Sequence, residues 1–261
     1  MHLLGGIMTR VKNFIKEVFR PFVKPFLHRI RLIVRQETER HQSQKTAPPP
    51  FVEYLDISDS LYSLLTDYIT QCGWVKSVRT QSVVDNHGNN IPWCSYPFNK
   101  FIENRLSYDF DIFEFGCGSS TLYYASRVKT VTSVEHDRAW YDNMVELIKS
   151  KSITNVNLNC CELIDEVDKK YSNYAKYTKK SYDIIIVDGR DRNNCIINSI
   201  DCLKDAGVII LDNSERTKYG YGINHLLQNG FKALEFFGMS PLNPCESCTT
   251  IFYREENILK I

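Results

Sequence analysis

The stretch that most limits what this chain can fold into is Asp111–Ala125, D-I-F-E-F-G-C-G-S-S-T-L-Y-Y-A. Ile112, Phe113 and Phe115 cluster as in a short strand. Gly116 and Gly118, one residue apart, break it. Ser119, Ser120 and Thr121 bring N-cap chemistry, and Thr121–Val128 continues as a helix. A strand that runs through a glycine turn into a helix N-terminus forms a cradle for a small molecule. The missing Cβ atoms let a ligand approach the backbone, and the N–H groups of the first helical turn face it.

Downstream, the same alternation repeats. Strands are expected at Ile112–Phe115, Thr130–Glu135, Val156–Cys160, Tyr182–Asp188, Val208–Asp212, Ala233–Phe237 and Thr249–Arg254. Helices are expected between them at Ala139–Lys149, Asn194–Leu203 and Ile223–Gln228, with Asp137 capping the first of these. The runs Ile184-Ile185-Ile186-Val187 and Val208-Ile209-Ile210-Leu211 are continuously apolar, as parallel strands covered on both faces must be. The pattern predicts a doubly wound, mostly parallel α/β sheet. Upstream, helices are expected at Tyr54–Ile69 and Pro97–Leu106, with a turn at Asp85–Asn90.

The N-terminal part is different. Residues 10–35 keep apolar residues at three-four spacing (Phe14, Val18, Phe22, Phe26, Ile30) and place eight Lys and Arg between them against Glu17 alone. This predicts a basic amphipathic helical segment over 1–36, fit for peripheral contact with an anionic membrane face or for docking on protein. Residues 37–50 read as a polar, Pro-rich linker, and 51–261 as the compact domain. With 24% charged residues and a net charge of +1, nothing points to nucleic acid as a partner. The nine cysteines are scattered and several fall within apolar patterns, which fits reduced thiols in a cytoplasmic setting.

An open parallel sheet binds its ligand outside the carboxyl ends of its strands. Here those ends carry the carboxylates: Glu114 before the glycine turn, Glu135, Glu162 after Cys160-Cys161, Asp188, and Asp212-Asn213. Glu135, one strand after the turn, can accept both ribose hydroxyls, which fits a nicotinamide dinucleotide or another adenosine ligand alike. The turn separates the two, because a dinucleotide fingerprint calls for a third glycine where Thr121 stands.

The ordered set E-F-G-C-G-S-S-T, V-T-S-V-E-H-D and Y-D-I-I-I-V-D-G resembles class I S-adenosylmethionine-dependent methyltransferases over roughly residues 96–253. Ser120 departs from the family's pattern, which often has a glycine there. The resemblance implies a Rossmann-like, seven-stranded sheet whose last strand runs antiparallel. It also implies a cofactor site in which Glu114, Gly116, Cys117 and Gly118 lie along the methionine part, with Ser119, Ser120 and Thr121 opening the helix. Glu135 would hold the ribose, and Cys161 or Glu162 would border the adenine. By its position next to Glu135, His136 is a candidate to close over the cofactor, to face solvent or to act as general base, and Asp188 is a further candidate cofactor contact.

Asp188, Asp212 and Asn213 are hard oxygen ligands suited to Mg²⁺. Their placement resembles the metal set of catechol- and caffeoyl-CoA-type O-methyltransferases, although Asp191 stands where those enzymes usually have a lysine. By that resemblance, Asp188 and Asp212 would be catalytic, with the metal holding the acceptor hydroxyl. Without a metal, the same residues would contact cofactor or cap the next turn. Arg190 and Arg192 would clamp an anionic group of the substrate. Trp93, Tyr96 and Phe98 are candidate walls of the pocket, and 214–221 and Gly238–Pro244 are candidate substrate loops.

The resulting expectation is a cytoplasmic methyltransferase acting on an oxygen of a small-molecule or glycan-type acceptor. The alternatives are an NAD(P)-dependent oxidoreductase, and a catalytically inactive cofactor-binding module at a membrane surface.

Overall fold

The computed structural model describes residues 64–163 and 170–261. The amphipathic segment of residues 10–35, with its membrane expectation, the linker and most of the helix expected at Tyr54–Ile69 lie outside the described residues. All described residues belong to one compact unit, Ile57–Ile261. Among them no helix is long and apolar enough to cross a membrane.

Seven strands form one sheet: β1 (Asp111–Phe115), β2 (Thr130–Glu135), β3 (Val156–Cys160), β4 (Tyr182–Val187), β5 (Leu203–Asp212), β6 (Lys232–Ser240) and β7 (Asn243–Tyr253). Their order is β3-β2-β1-β4-β5-β7-β6. The first five are parallel, while β7 runs antiparallel to both β5 and β6. The seven strands and the antiparallel last one agree with the sequence expectation. Around them lie α1 (Trp74–Thr80), α2 (Tyr96–Ile102), α3 (Ser119–Ala125), α4 (Arg138–Ser150), α5 (Tyr174–Tyr177), α6 (Arg192–Ser199) and α7 (Gly220–Gln228), preceded by a π-helical turn at Leu64–Ile69.

The two-residue period of the central strands divides the core into two layers. Phe113, Phe115, Ile185, Val187, Ile209 and Leu211 point to one side, against Cys195 and Ile196 of α6 and Leu226 of α7. Ile112, Ile184, Ile186, Val208 and Ile210 point to the other, against Phe98 and Ile102 of α2 and Tyr124 of α3. Every residue of β4 is buried, which explains the unbroken apolar run. A one-residue slip of β4 would exchange the two layers, so its register is strongly specified.

Several elements differ from expectation. The helix expected at Asn194–Leu203 ends at Ser199, continues as a 3₁₀ turn, and yields Leu203 to β5, where it pairs with Tyr182. The stretch Gly238–Pro244 is no loop. It closes the β6–β7 hairpin, with Ser240 opposite Asn243 and Leu242 at φ 63°. Helix α2 ends at Ile102 instead of Leu106. The predicted turn at Asp85–Asn90 forms, with Asp85 Oδ1 accepting the N–H groups of His87 and Asn89.

Two ties position the carboxyl ends of the strands. The Ser95 hydroxyl at the start of α2 accepts the Phe98 N–H and donates to the Phe236 carbonyl. The Ser95 N–H donates to Thr249 Oγ1, whose hydroxyl in turn donates to Asp212 Oδ1 at 2.7 Å. Helix α2, β7 and the end of β5 are thereby locked together.

Candidate functional site

The carboxyl ends of β1, β2 and β4 meet at a solvent-open cleft of about 220 Å³. Its walls include Glu114, Gly116, Cys117, Ser120, Glu135, His136, Asp188 and Arg190. Gly116 has φ +97°, a conformation that L side chains rarely adopt, and its N–H bonds the Val134 carbonyl at 2.8 Å. This is how β1 turns sharply into α3.

Glu114 is 1% exposed and lies under the first turn of α3. Its carboxylate accepts three hydroxyls, from Ser120, from Thr121 at 2.5 Å and from Ser133 at 3.0 Å. Thr121 Oγ1 also accepts the Gly118 N–H at 3.0 Å. Burial is the dominant influence on Glu114, and it pushes the carboxyl up to about 7 in spite of the three hydroxyls. A carboxyl that ionises only as the pH rises to about 7 therefore sits at the positive end of α3.

Glu135 closes the other wall and is 4% exposed. Oε2 accepts the Cys117 N–H at 3.2 Å, while Oε1 accepts the N–H groups of His136 and Asp137, each at 2.8 Å. His136 Nδ1 lies 2.6 Å from the same Oε1, off the line of a hydrogen bond. Arg190 donates from Nε to His136 Nε2 at 3.3 Å, so that nitrogen carries the lone pair and Nδ1 the proton. Asp137 caps α4 as its position in the sequence predicts, accepting the Trp140 N–H at 2.9 Å. The indole of Trp140 then donates to the Cys117 carbonyl at 2.8 Å and covers the glycine turn. Sequence reasoning missed Trp140; its place three residues after the capping aspartate was the available signal.

The expected metal set does not form. Arg192 is buried, and its guanidinium binds Asp188 Oδ1 at 2.7 Å and the carbonyls of Asp188, Gly189 and Asp212. An organic cation thus holds the ends of β4 and β5 together where an inorganic one was expected. Asp212 is 3% exposed and spends its Oδ1 on Thr249. Burial, then the charge of Asp188, push Asp212 up to about 7. Asn213 adopts φ 52° and begins the turn after β5. Among the described residues no three His, Cys, Asp or Glu side chains converge on a cation position. Mg²⁺ therefore does not fit the residues present, and neither does a substrate clamp at Arg192.

Of the residues expected at the cofactor, Cys161 donates its N–H to the Glu135 carbonyl at 2.7 Å and packs on the core. Glu162 is exposed and pairs with Arg138 at 3.0 Å. Neither lines the cleft, and neither does Asp212. Ser119 turns aside to bond the Val83 carbonyl at 3.1 Å. Tyr96 and Phe98 are core residues and Trp93 is half exposed, so the aromatic wall expected from these three is absent from the cleft. Gly189 instead lets Tyr171 pack against the cleft floor, since a Cβ there would lie 1.9 Å from the Tyr171 hydroxyl.

The architecture is thus a doubly wound α/β sheet of Rossmann-like type, with its cleft at the carboxyl ends. No protein-family model matches the sequence, and a search of curated proteins gives no match. Solved structures of similar architecture include an rRNA methylase from Streptococcus thermophilus, at 13% identity and TM-score 0.47, covering 61% of this chain and 97% of that one. A putative methyltransferase from Streptococcus mutans in complex with SAH aligns at 13% identity and TM-score 0.45, covering 59% and 94%. A precorrin-6y C5,15-methyltransferase from Geobacter metallireducens aligns at 14% identity and TM-score 0.47, covering 61% and 88%. Likeness at this level is one of architecture.

Proposed function

We propose that the cleft binds S-adenosylmethionine and that the chain transfers its methyl group to a small acceptor. One observation carries the reading: Glu114 sits beneath the N-terminus of α3, with Thr121 taking up the Gly118 N–H. A dinucleotide needs that N-terminus for its pyrophosphate. Here a phosphate would meet a buried carboxylate and a first turn already capped. A sulfonium cation meets the opposite situation, because it favours the ionised form of this carboxyl and is stabilised by it.

Glu135 is suited to the ribose. Three N–H groups fix its orientation, and the remaining acceptor site on Oε2, which faces only the Cys117 thiol at 3.6 Å, can take a ribose hydroxyl. On the acceptor side, Asp188 is the member of the expected catalytic pair that reaches the cleft. Arg192 holds Oδ1 and leaves Oδ2 to accept the hydroxyl of an oxygen acceptor. The transfer would be a direct displacement, in which positioning supplies most of the rate and Asp188 receives the departing proton. No metal takes part.

Calorimetry of the full chain with S-adenosylmethionine, S-adenosylhomocysteine and NAD tests the reading. Both adenosyl ligands should bind, Glu135→Ala should weaken both at least tenfold, and binding of NAD alone would overturn the proposal. Asp188→Asn should keep cofactor affinity and lose turnover. An oligoribonucleotide belongs in the acceptor screen beside small hydroxyl compounds, since an rRNA methylase shares the architecture. The basic amphipathic pattern of residues 10–35 supports peripheral contact with an anionic membrane. Equal liposome flotation with and without residues 1–36 would end that idea.

A further inference from the structure

A second cavity, of about 310 Å³, opens beside the cleft and shares Gly189, Arg190 and Arg192 with it. Four cations line it: Arg190, Arg192, Arg216 and Lys218. The charge of Arg192 is spent on Asp188. Arg190 and Lys218 have no carboxylate within ion-pair distance among the described residues. Arg190 reaches only the neutral edge of His136, and Lys218 Nζ lies 5.0 Å over the Tyr219 ring. Arg216 meets Glu215 at 3.7 Å, the outer range of an ion pair, with both side chains partly in water. The one acid in the lining, Asp191, is engaged by the Asn194 side-chain amide at 2.7 Å. The cavity therefore holds more positive charge than its own carboxylates neutralise.

We propose that this cavity receives an anionic group, phosphate or carboxylate, carried by a small methyl acceptor. The inference rests on the methyl-transfer reading of the adjoining cleft. Arg190 and Arg216 offer guanidinium forks suited to a planar or tetrahedral oxyanion, and Lys218 adds a mobile point charge. Because the cavity and the cleft share Gly189 and Arg190 in their walls, an acceptor anchored there by its anion lies next to the cleft that Asp188 lines. The cations gather around one solvent-open cavity instead of along a stripe, which favours a single anionic group over a polynucleotide backbone.

The test uses the full chain loaded with S-adenosylhomocysteine and follows its melting temperature against inorganic phosphate, acetate and a ten-nucleotide oligoribonucleotide. Phosphate or acetate should raise the midpoint in a saturable way, and the stronger of the two identifies the group. Lys218→Gln and Arg216→Gln lie outside the cleft lining, so they should weaken the anion at least tenfold and leave S-adenosylhomocysteine affinity unchanged. An unchanged anion response in both variants, or no response in the wild type, overturns the proposal. So does an oligoribonucleotide that binds while both small anions fail. S-adenosylhomocysteine affinity is measured in parallel and separates the two readings. If it binds while the anions do not, the anion site alone fails; if it does not bind, the cofactor reading fails first.

Discussion

Glu114 makes the pH dependence of stability a direct probe of the site. Its carboxyl is buried under α3 and raised from 4.5 to about 7. The sign follows from proton binding: between these values the folded state holds a proton that the unfolded state has released, so stability falls as pH rises through this window. A rise of this size corresponds to about 3 kcal/mol of stability present below pH 4.5 and lost by pH 8. Glu114→Gln keeps the shape and cannot ionise. It should therefore remove about 3 kcal/mol of the fall, leaving the share of Asp212, which titrates in the same window. The assay is the urea unfolding midpoint at fixed pH values from 5 to 8, in wild type and variant. Parallel curves would refute the burial argument. The same variant should weaken S-adenosylmethionine more than S-adenosylhomocysteine at pH 8, because only the sulfonium loses a counter-charge.

Arg192→Met should destabilise the domain by about 3–5 kcal/mol, since it leaves Asp188 and three carbonyls without their partner. Arg192→Lys should recover only part of this, because an ammonium cannot reproduce the fork, as chemical denaturation would show. Thr249→Val should cost about 1–3 kcal/mol by stranding the Ser95 N–H and an Asp212 oxygen, read as a lower unfolding midpoint. Gly189→Ala should cost about 1–3 kcal/mol through its clash with the Tyr171 hydroxyl. Adding Tyr171→Phe should restore part of the melting temperature, and no recovery would place the strain elsewhere.

Much of the fold is legible along the chain. The paired apolar runs of β4 and β5 specify strands covered on both faces, and their alternate residues fill the two layers. The glycine turn, the Asp137 cap and the Asp85–Asn90 turn form as read, since each depends on residues within four positions of one another. At Gly238–Pro244 proline and glycine signal a loop, whereas the structure has a hairpin. Cross-strand pairing, which spans the turn from both sides, sets the actual register. Local pattern likewise places Leu203 in the helix, and only its pairing with Tyr182 makes it strand.

The chemistry of the site divides along the same line. The sequence by itself determined which residues stand at the strand ends, because that follows from local period and turn chemistry. It could not determine which of them are already engaged. Asp188, Asp212 and Asn213 have the composition of a metal set, but Arg192 reaches back from the next helix and consumes it. Glu114 has the composition of a ligand contact, and it lines the cleft while also accepting three hydroxyls from α3 and β2. A side chain's charge is written in the sequence. Whether that charge faces a ligand or a partner depends on groups brought near by the sheet, and only the tertiary structure decided it.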